Sequence, residues 1–421
     1  METSLPILTI LTKNRTANLR QCVESLRANT NKFGKEVYLI VADDSDDSIV
    51  PQNRSVLEES KLPFSHFDRK FRASFVRDLV LESGCSLDVA NFALLPDDPV
   101  AMGAVRNFFL LLLAGKRFIM LDDDMKCKFA PIPDKNDEID HILGPSIEFP
   151  TTQILEKECE LIDEDFISCH QRLMQEGVVL TVGGSVGDSG VSNSYHFLGD
   201  LEFLNRIKSL EAMRTALQHR KILRYTSNPT IVNWICGSGM SMGINAEKLT
   251  PPFLPVQRGE DILFGLMLRN CFLERSAYCN YAMLHTAERE ANLEEEQKTF
   301  PIPNFGEFII KILYEDNPSS LEEFGLTLKS ISSASNFSEY TANLVARWRQ
   351  RVALKLEIWS LGLPDFIIQE IEKVRTELKN GAPFVTPLGL PLSSFRDRIR
   401  QFGDLLLAWP TLYATARNYG L

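Results

Sequence analysis

Three consecutive carboxylates, Asp122, Asp123 and Asp124, close a short apolar run at 117–121. Such a run, bounded by polar residues, reads as a buried strand. Carboxylates this close repel one another, and a strand end leaves them little room to separate. A divalent cation relieves the repulsion. Hard oxygen ligands suit Mg²⁺ or Mn²⁺, which take their remaining ligands from phosphate oxygens and water. An acidic turn, in which aspartates bond their own backbone, has the same composition. A second acidic cluster begins with Asp43 and Asp44 at the end of the apolar run 37–42. A third carboxylate pair, Glu260 and Asp261, follows Gly259 and precedes a helix-like apolar stretch. Acidic residues in a first helical turn are also ordinary partners of the helix dipole.

The elements that must position these residues follow from periodicity. Residues 5–11 read as a strand and 12–16 as a polar turn. Leu19, Cys22, Val23 and Leu26 have the spacing of a helix over 17–28. A second strand at 37–42 makes a strand–helix–strand unit, which implies a right-handed parallel crossover. In such sheets ligands sit beyond the carboxyl ends of the strands. The two acidic strand ends therefore fall on one edge, which favours a site over two unrelated turns. A third strand is expected near 62–67 and a helix over 75–81. Residues 103–107 open a helix that is apolar over 108–114 and ends at Gly115. A helix apolar all round is a buried one. Arg106 stands just before that run, either reaching the site edge or marking a surface helix start.

Further on, 177–182 reads as a strand, and the glycine-rich 183–190 as a flexible loop near the acceptor. It is no dinucleotide fingerprint, because no helix with the right flanks follows. Another strand, 230–235, runs into the glycine-rich segment 236–243, where backbone can approach a ligand closely. Trp234 either stacks on a sugar face or fills the core. Residues 281–285 read as a last strand ending in His285.

The totals exclude some classes. The 421 residues are 44% hydrophobic and 24% charged, the proportions of an ordinary globular protein. A formal net charge of -11 argues against a nucleic-acid partner, which requires a basic footprint. The longest apolar run, 108–114, is too short to cross a bilayer, so no transmembrane segment is expected. No signal-peptide pattern follows Met1. The eight cysteines form no C-x-x-C pair and read as reduced thiols in a cytoplasmic protein.

The order of motifs is T-K-N-R turn, V-A-D-D-S-D-D strand end, G-A-V-R-N, apolar helix, L-D-D-D. It resembles the GT-A-fold nucleotide-sugar glycosyltransferases with a DXD motif, and most of all the inverting family 2. Ser45 stands where that family has a glycine, and Phe108 where it has a small residue. The resemblance covers about residues 5–290. It implies an α/β GT-A domain, Rossmann-like with a mostly parallel central sheet, over residues 1–298. An insertion at about 130–176 either covers the site or is a surface excursion.

By the same resemblance, Thr12, Arg15, Asp43 and Asp44 line the nucleoside pocket, and Arg106 lies near the base or diphosphate. Asp122 approaches the ribose and metal, Asp123 joins the donor site, and Asp124 binds Mn²⁺ or Mg²⁺. His285 completes the metal shell. Asp261 is the general base, with Glu260 its neighbour or substitute. From the glycine-rich segment and the strand before it, and not from the resemblance, Trp234, Gly237, Ser238 and Gly239 are the acceptor-side candidates, with the core alternative for Trp234. The implied reaction moves a sugar from a nucleoside diphosphate, UDP-linked by expectation, to an acceptor hydroxyl with inversion. The acceptor's identity is left open.

Beyond a linker at 300–304 the chain reads as a mainly helical C-terminal domain, 299–421. Phe308, Ile309, Ile312 and Leu313 recur at helical spacing, and no carboxylate or histidine cluster follows. Packing, or homo-oligomerisation through this domain, is preferred over acceptor binding. The rival readings are a sugar-nucleotide nucleotidyltransferase and a non-catalytic carbohydrate- or nucleotide-binding scaffold. The first lacks its G-x-G-x-R loop after strand one. Against the second stand Asp122, Asp124 and Asp261.

Overall fold

The computed structural model describes residues 5–98, 100–132, 151–155, 159–188, 209, 221–232, 240–286, 305–359, isolated positions between 365 and 376, and 391–419. Its centre is a twisted sheet. Strands β1 (Ile7–Thr12), β2 (Tyr38–Asp43), β3 (Phe64–Phe67) and β4 (Arg117–Asp122) lie in the order β3-β2-β1-β4 and run parallel. Every residue of β1 is buried, as a strand covered on both faces requires.

Beyond β4 the sheet turns mixed. The remaining strands are β5 (Met125–Ala130), β6 (Thr151–Leu155), β7 (Leu180–Asp188), β8 (Lys221–Tyr225), β9 (Thr230–Val232), β10 (Ser241–Asn245) and β11 (Ser276–His285). β10 lies antiparallel between β4 and β7, and β11 runs parallel to β7. β5 and β9 add to β11 antiparallel, β8 to β7 and β6 to β8. The expected mostly parallel sheet is thus correct for the first four strands, while among the remaining described strands only β7 and β11 pair in parallel. β10 was hidden by its composition, Ser-Met-Gly-Ile-Asn. The stretch 183–188, read as a loop, belongs to β7. Gly183 and Gly184 are needed there because a Cβ would overlap the Tyr281 ring at one and two backbone carbonyls at the other.

Strand alternation divides the core into two layers. Leu8, Ile10, Leu39, Val41, Ile119 and Leu121 face one cluster. It is covered by helices α1 (Thr16–Lys32), α2 (Val50–Ser60) and α6 (Phe166–Gln175). α6 lies within the stretch read as an insertion, and its Phe166, Ile167, Leu173 and Met174 are core residues. Ile7, Leu11, Ile40, Phe118 and Met120 face the other cluster. That side carries α3 (Arg69–Ser83), α4 (Leu87–Leu94), α5 (Met102–Leu112) and α7 (Glu260–Met267).

The helices that follow, α8 (Phe305–Asp316), α9 (Leu321–Ser333), α10 (Phe337–Trp359) and α11 (Leu392–Tyr419), contribute to this same cluster. Trp409 of α11 is fully buried, and its indole N–H donates to the Thr250 carbonyl at 2.6 Å. Arg398 pairs with Asp98 at 2.7 Å. At the start of α8, a Cβ on Gly306 would overlap the Arg258 carbonyl. The C-terminal helices therefore press directly on the loop that leads to Glu260.

A buried polar chain crosses the first core layer. Thr181 Oγ1 donates to the Gly243 carbonyl at 3.2 Å. It therefore accepts from His170 Nδ1, 2.6 Å away. His170 Nε2 is then the acceptor for the Tyr281 hydroxyl at 2.6 Å, which accepts in turn from Ser241 at 2.7 Å. Burial pushes His170 down to about 3 from its usual 6.5. The unfolded chain thus binds a proton near pH 6.5 that the folded chain refuses. Stability from this residue is complete above that value and is lost as pH falls towards 3, at up to about 1.4 kcal/mol per pH unit. We expect His170→Asn to flatten the difference in urea-unfolding stability between pH 7 and pH 5. Identical pH slopes in the two proteins would refute this.

Candidate functional site at the carboxyl edge of the sheet

The parallel register sets the strand ends level. Thr12 lies opposite Asp43, and Leu11 opposite Asp122. Asp123 and Asp124 form the whole connection between β4 and β5, and β5 pairs not with β4 but with β11. Met125 lies opposite His285, so the last residue of β11 meets the end of β4. Two segments far apart in sequence are joined at one corner by this strand exchange.

The three aspartates divide between two cations, Asp123 and Asp124 meeting Arg15 and Asp122 meeting Arg106. Asp123 accepts from Thr12 Oγ1 at 2.7 Å and from Arg15 Nη1 at 3.2 Å. Burial and the neighbouring Asp124 push it up to about 7, against the pull of those two residues. Asp124 Oδ2 meets Arg15 at 3.1 Å and His285 Nε2 at 3.6 Å. Burial works against its charge, but His285 and Arg15 hold it below the ordinary carboxylate range. Its other oxygen, Oδ1, is buried without a hydrogen-bond partner. His285 Nδ1 lies 2.6 Å from the Asp188 carbonyl and can only donate there, which leaves Nε2 turned to Asp124. A backbone carbonyl holding one ring nitrogen is the usual support of a metal-binding histidine.

Asp122 belongs to a different pairing. The Arg106 guanidinium lies 3.0 Å from Asp122 Oδ1 and is hydrogen-bonded to Glu260. Burial raises Asp122 to about 6, although Arg106 pulls the other way. Among the described residues no three His, Cys, Asp or Glu side chains gather into a metal-binding group. Asp124 and His285 form a pair of candidate ligands, and Asp122 is paired with Arg106.

The run G-A-V-R-N now has a physical meaning. Gly103 lets α5 approach Leu254, whose carbonyl oxygen a Cβ would overlap. Arg106, fully buried, lies 5.9 Å from the Phe253 ring, which stacks on Phe264 of α7. Asn107 donates to the Phe253 carbonyl at 3.0 Å and accepts from the Phe253 N–H at 2.7 Å. Gly259 caps α7 with φ 93°, a conformation that favours glycine, and so turns the chain into Glu260 and Asp261. Asp261 accepts from the Ile262 N–H at 2.8 Å.

Asp43 and Asp44 are committed within the protein. Asp43 is fully buried and accepts from the Ser45 N–H and from Asn53, both at 2.9 Å, with His66 Nε2 at 3.0 Å. Burial opposes its charge, yet these bonds hold it below the usual range. Asp44 pairs with the buried Arg72, and Lys13 approaches it at 3.6 Å. Arg72, Asn53, His66 and Asn107 were not singled out from sequence. Arg72 carried one signal, a charged residue on the same helical face as Phe75, Val76 and Leu79. Trp234, Gly237, Ser238 and Gly239 lie outside the described residues.

Arg106→Met should be strongly destabilising. It leaves two nearly buried carboxylates without their cation, which typically costs about 3–5 kcal/mol. The double change Arg106→Met with Glu260→Gln should recover part of that loss. Urea titrations of both variants test this, and a single variant as stable as the parent would contradict it.

No family model matches this chain, and no curated protein does either. Among solved structures it is similar to the crystal structure of mouse xyloside xylosyltransferase 1 in its apo form. That match has 12% identity and a TM-score of 0.24, over 58% of this chain and 68% of the other.

Proposed function

We propose that the chain is a glycosyltransferase that moves a sugar from a nucleoside diphosphate, with a divalent metal, to an acceptor hydroxyl. One observation carries the reading. At the level strand ends, Asp124 keeps one buried oxygen, Oδ1, without a hydrogen-bond partner, and His285 is held with Nε2 facing its other oxygen, Oδ2. Two protein ligands are enough for Mg²⁺ or Mn²⁺ when diphosphate oxygens and water supply the rest. Bound there, the metal would act as a Lewis acid that neutralises the leaving diphosphate.

The protein's own groups take the other roles. Arg15 belongs to the turn between β1 and α1, is two-fifths exposed, and already spans Asp123 and Asp124. It is the cation best placed to meet a phosphate. Arg106 holds Asp122 and Glu260 in place and so fixes the start of α7. Asp261, beside Glu260 in the first turn of α7, is the carboxylate we assign to take the acceptor's proton. Attack from the face opposite the leaving group would then invert the anomeric carbon. The motif order that resembles the inverting family 2 supports this assignment. The nucleotidyltransferase reading gains nothing from the fold, since the turn after β1 has no glycine.

Two experiments test the reading. Calorimetric titration of UDP should show binding that requires Mn²⁺ in the parent and is lost in Asp124→Ala, with the melting temperature of the variant preserved. UDP affinity that is the same with and without Mn²⁺ would refute the metal. Asp261→Asn should lower turnover by about 10²–10⁴-fold while leaving donor affinity nearly unchanged. If turnover stays near normal and only the melting temperature falls, Asp261 is a helix-start residue and not the base.

A further inference from the structure

Half a strand away from His285, on the first-layer face of the sheet, β11 and α6 bring two thiols together. Cys279 is fully buried, with Sγ 3.5 Å from His170 Nδ1. Cys169, the residue before His170, is half-buried, with Sγ 3.6 Å from Asn280 Oδ1, the residue after Cys279. The Cys169 thiol donates to that oxygen, so each sulfur lies against the chain neighbour of the other cysteine. Arg172, one turn further along α6, adds positive charge. Cys169 opens into a shallow surface cavity of about 450 Å³, lined also by Asp165, Ser168, Gln171, Arg172 and Gln175. The mechanism proposed for the acidic edge uses none of these groups.

We propose that Cys169 and Cys279 form a peroxide-reactive thiol pair, with Cys169 the attacking thiolate and Cys279 the thiol that closes the disulfide. Geometry supplies what each step needs. A hydroperoxide enters through the open cavity and meets the Cys169 sulfur beside Arg172. The sulfur attacks one peroxide oxygen, the O–O bond breaks, and the other oxygen leaves as alcohol or water with a proton. Cys169 becomes a sulfenic acid, oxidised by two electrons, and the peroxide is reduced by the same two. Cys279 then attacks that sulfur. The S–S bond forms, and the sulfenic oxygen departs as water with the Cys279 proton. A thiol or dithiol of the surroundings restores the pair by exchange.

The acid–base setting supports the division of roles. The Cys279 hydrogen bond brings Cys169 down to about 7, with Asn280 and Arg172 helping, against its burial. Burial pushes the Cys279 thiol well up. The attacking group is thus ionised near neutrality, and the closing group keeps its proton until the leaving oxygen takes it. Cys271, also half-buried, is pushed up to about 12 by burial and serves as an internal comparison.

The test uses the full chain. In a short pulse of N-ethylmaleimide at pH 7.5, Cys169 should label at least about tenfold faster than Cys271, because the thiolate is the reacting form. One equivalent of hydrogen peroxide should lower the intact mass by about 2 Da, the loss of two hydrogens on disulfide formation. Peptide mapping should join Cys169 to Cys279, and dithiothreitol should reverse both changes. Cys169→Ser should abolish the mass loss. Cys279→Ser should leave a dimedone-reactive sulfenic acid on Cys169. Should that variant fail to fold, the labelling and mapping of the parent decide alone. Labelling of Cys169 no faster than Cys271 overturns the proposal. So does peroxide that yields sulfinic acid at Cys169 without a crosslink. A 169–279 bond already present on isolation and resistant to dithiothreitol would identify a structural bridge and overturn it as well.

Discussion

A buried arginine between two carboxylates holds the site together. Arg106 spans Asp122 at the end of the central strand β4 and Glu260 at the start of α7. A cation this deep is sustained only by full pairing, since either carboxylate alone would leave a desolvated charge. Three elements are therefore not independent. If α5 shifts, β4 and α7 lose their common partner. Asn107 repeats the lock on the backbone of Phe253, and Gly103 removes the Cβ that would hold α5 away from Leu254. Position of the acidic edge follows from helix packing as much as from the sheet.

The C-terminal helices extend the same constraint. α8 packs so closely on Arg258 that only glycine fits at 306, and α11 bonds backbone carbonyls next to β10 through Trp409 and Tyr413. Their apolar residues share one cluster with the strands. The loop that delivers Glu260 and Asp261 is thus clamped between α5 on one side and α8 on the other. Residues with no chemistry of their own fix where the carboxylates stand.

The sequence disclosed the acidic edge because two kinds of regularity coincide there. Continuous apolar runs marked β1, β2 and β4, and each ended in polar residues that the parallel register then set level. The later half was harder to read. β10 carries Ser241 and Gly243 for packing reasons, since a Cβ at 243 would press on Thr181 and His170. β7 carries Gly183 and Gly184 because Tyr281 and Arg224 lie against them. Both strands therefore look like loops when composition is the guide. Pairing was hidden for a related reason. That Asp122 would turn to Arg106 while Asp124 meets His285 depends on β5 leaving β4 for β11, a connection that no local pattern encodes. Asp43 and Asp44 stood out as acidic, but the groups that occupy them, Asn53, His66 and Arg72, sit on three other elements.

Strand β11 links the acidic edge to the interior. Its Ala277, Cys279, Tyr281 and Met283 alternate onto the first core layer. Tyr281 is held by His170 and Ser241, and Ser241 lies opposite Leu121, the residue before Asp122. The direction of every hydrogen bond in that chain follows from one carbonyl, Gly243, which can only accept. A buried network with a single proton arrangement is stiff, because reversing one member leaves another unsatisfied at a cost of about 1–3 kcal/mol. The strand that ends in His285 and the strand that ends in Asp122 are therefore tied below the site, through β10, by polar bonds as well as by the sheet ladder. The separation between Asp124 and His285 depends on that tie, since neither side chain is long enough to absorb a slip of either strand.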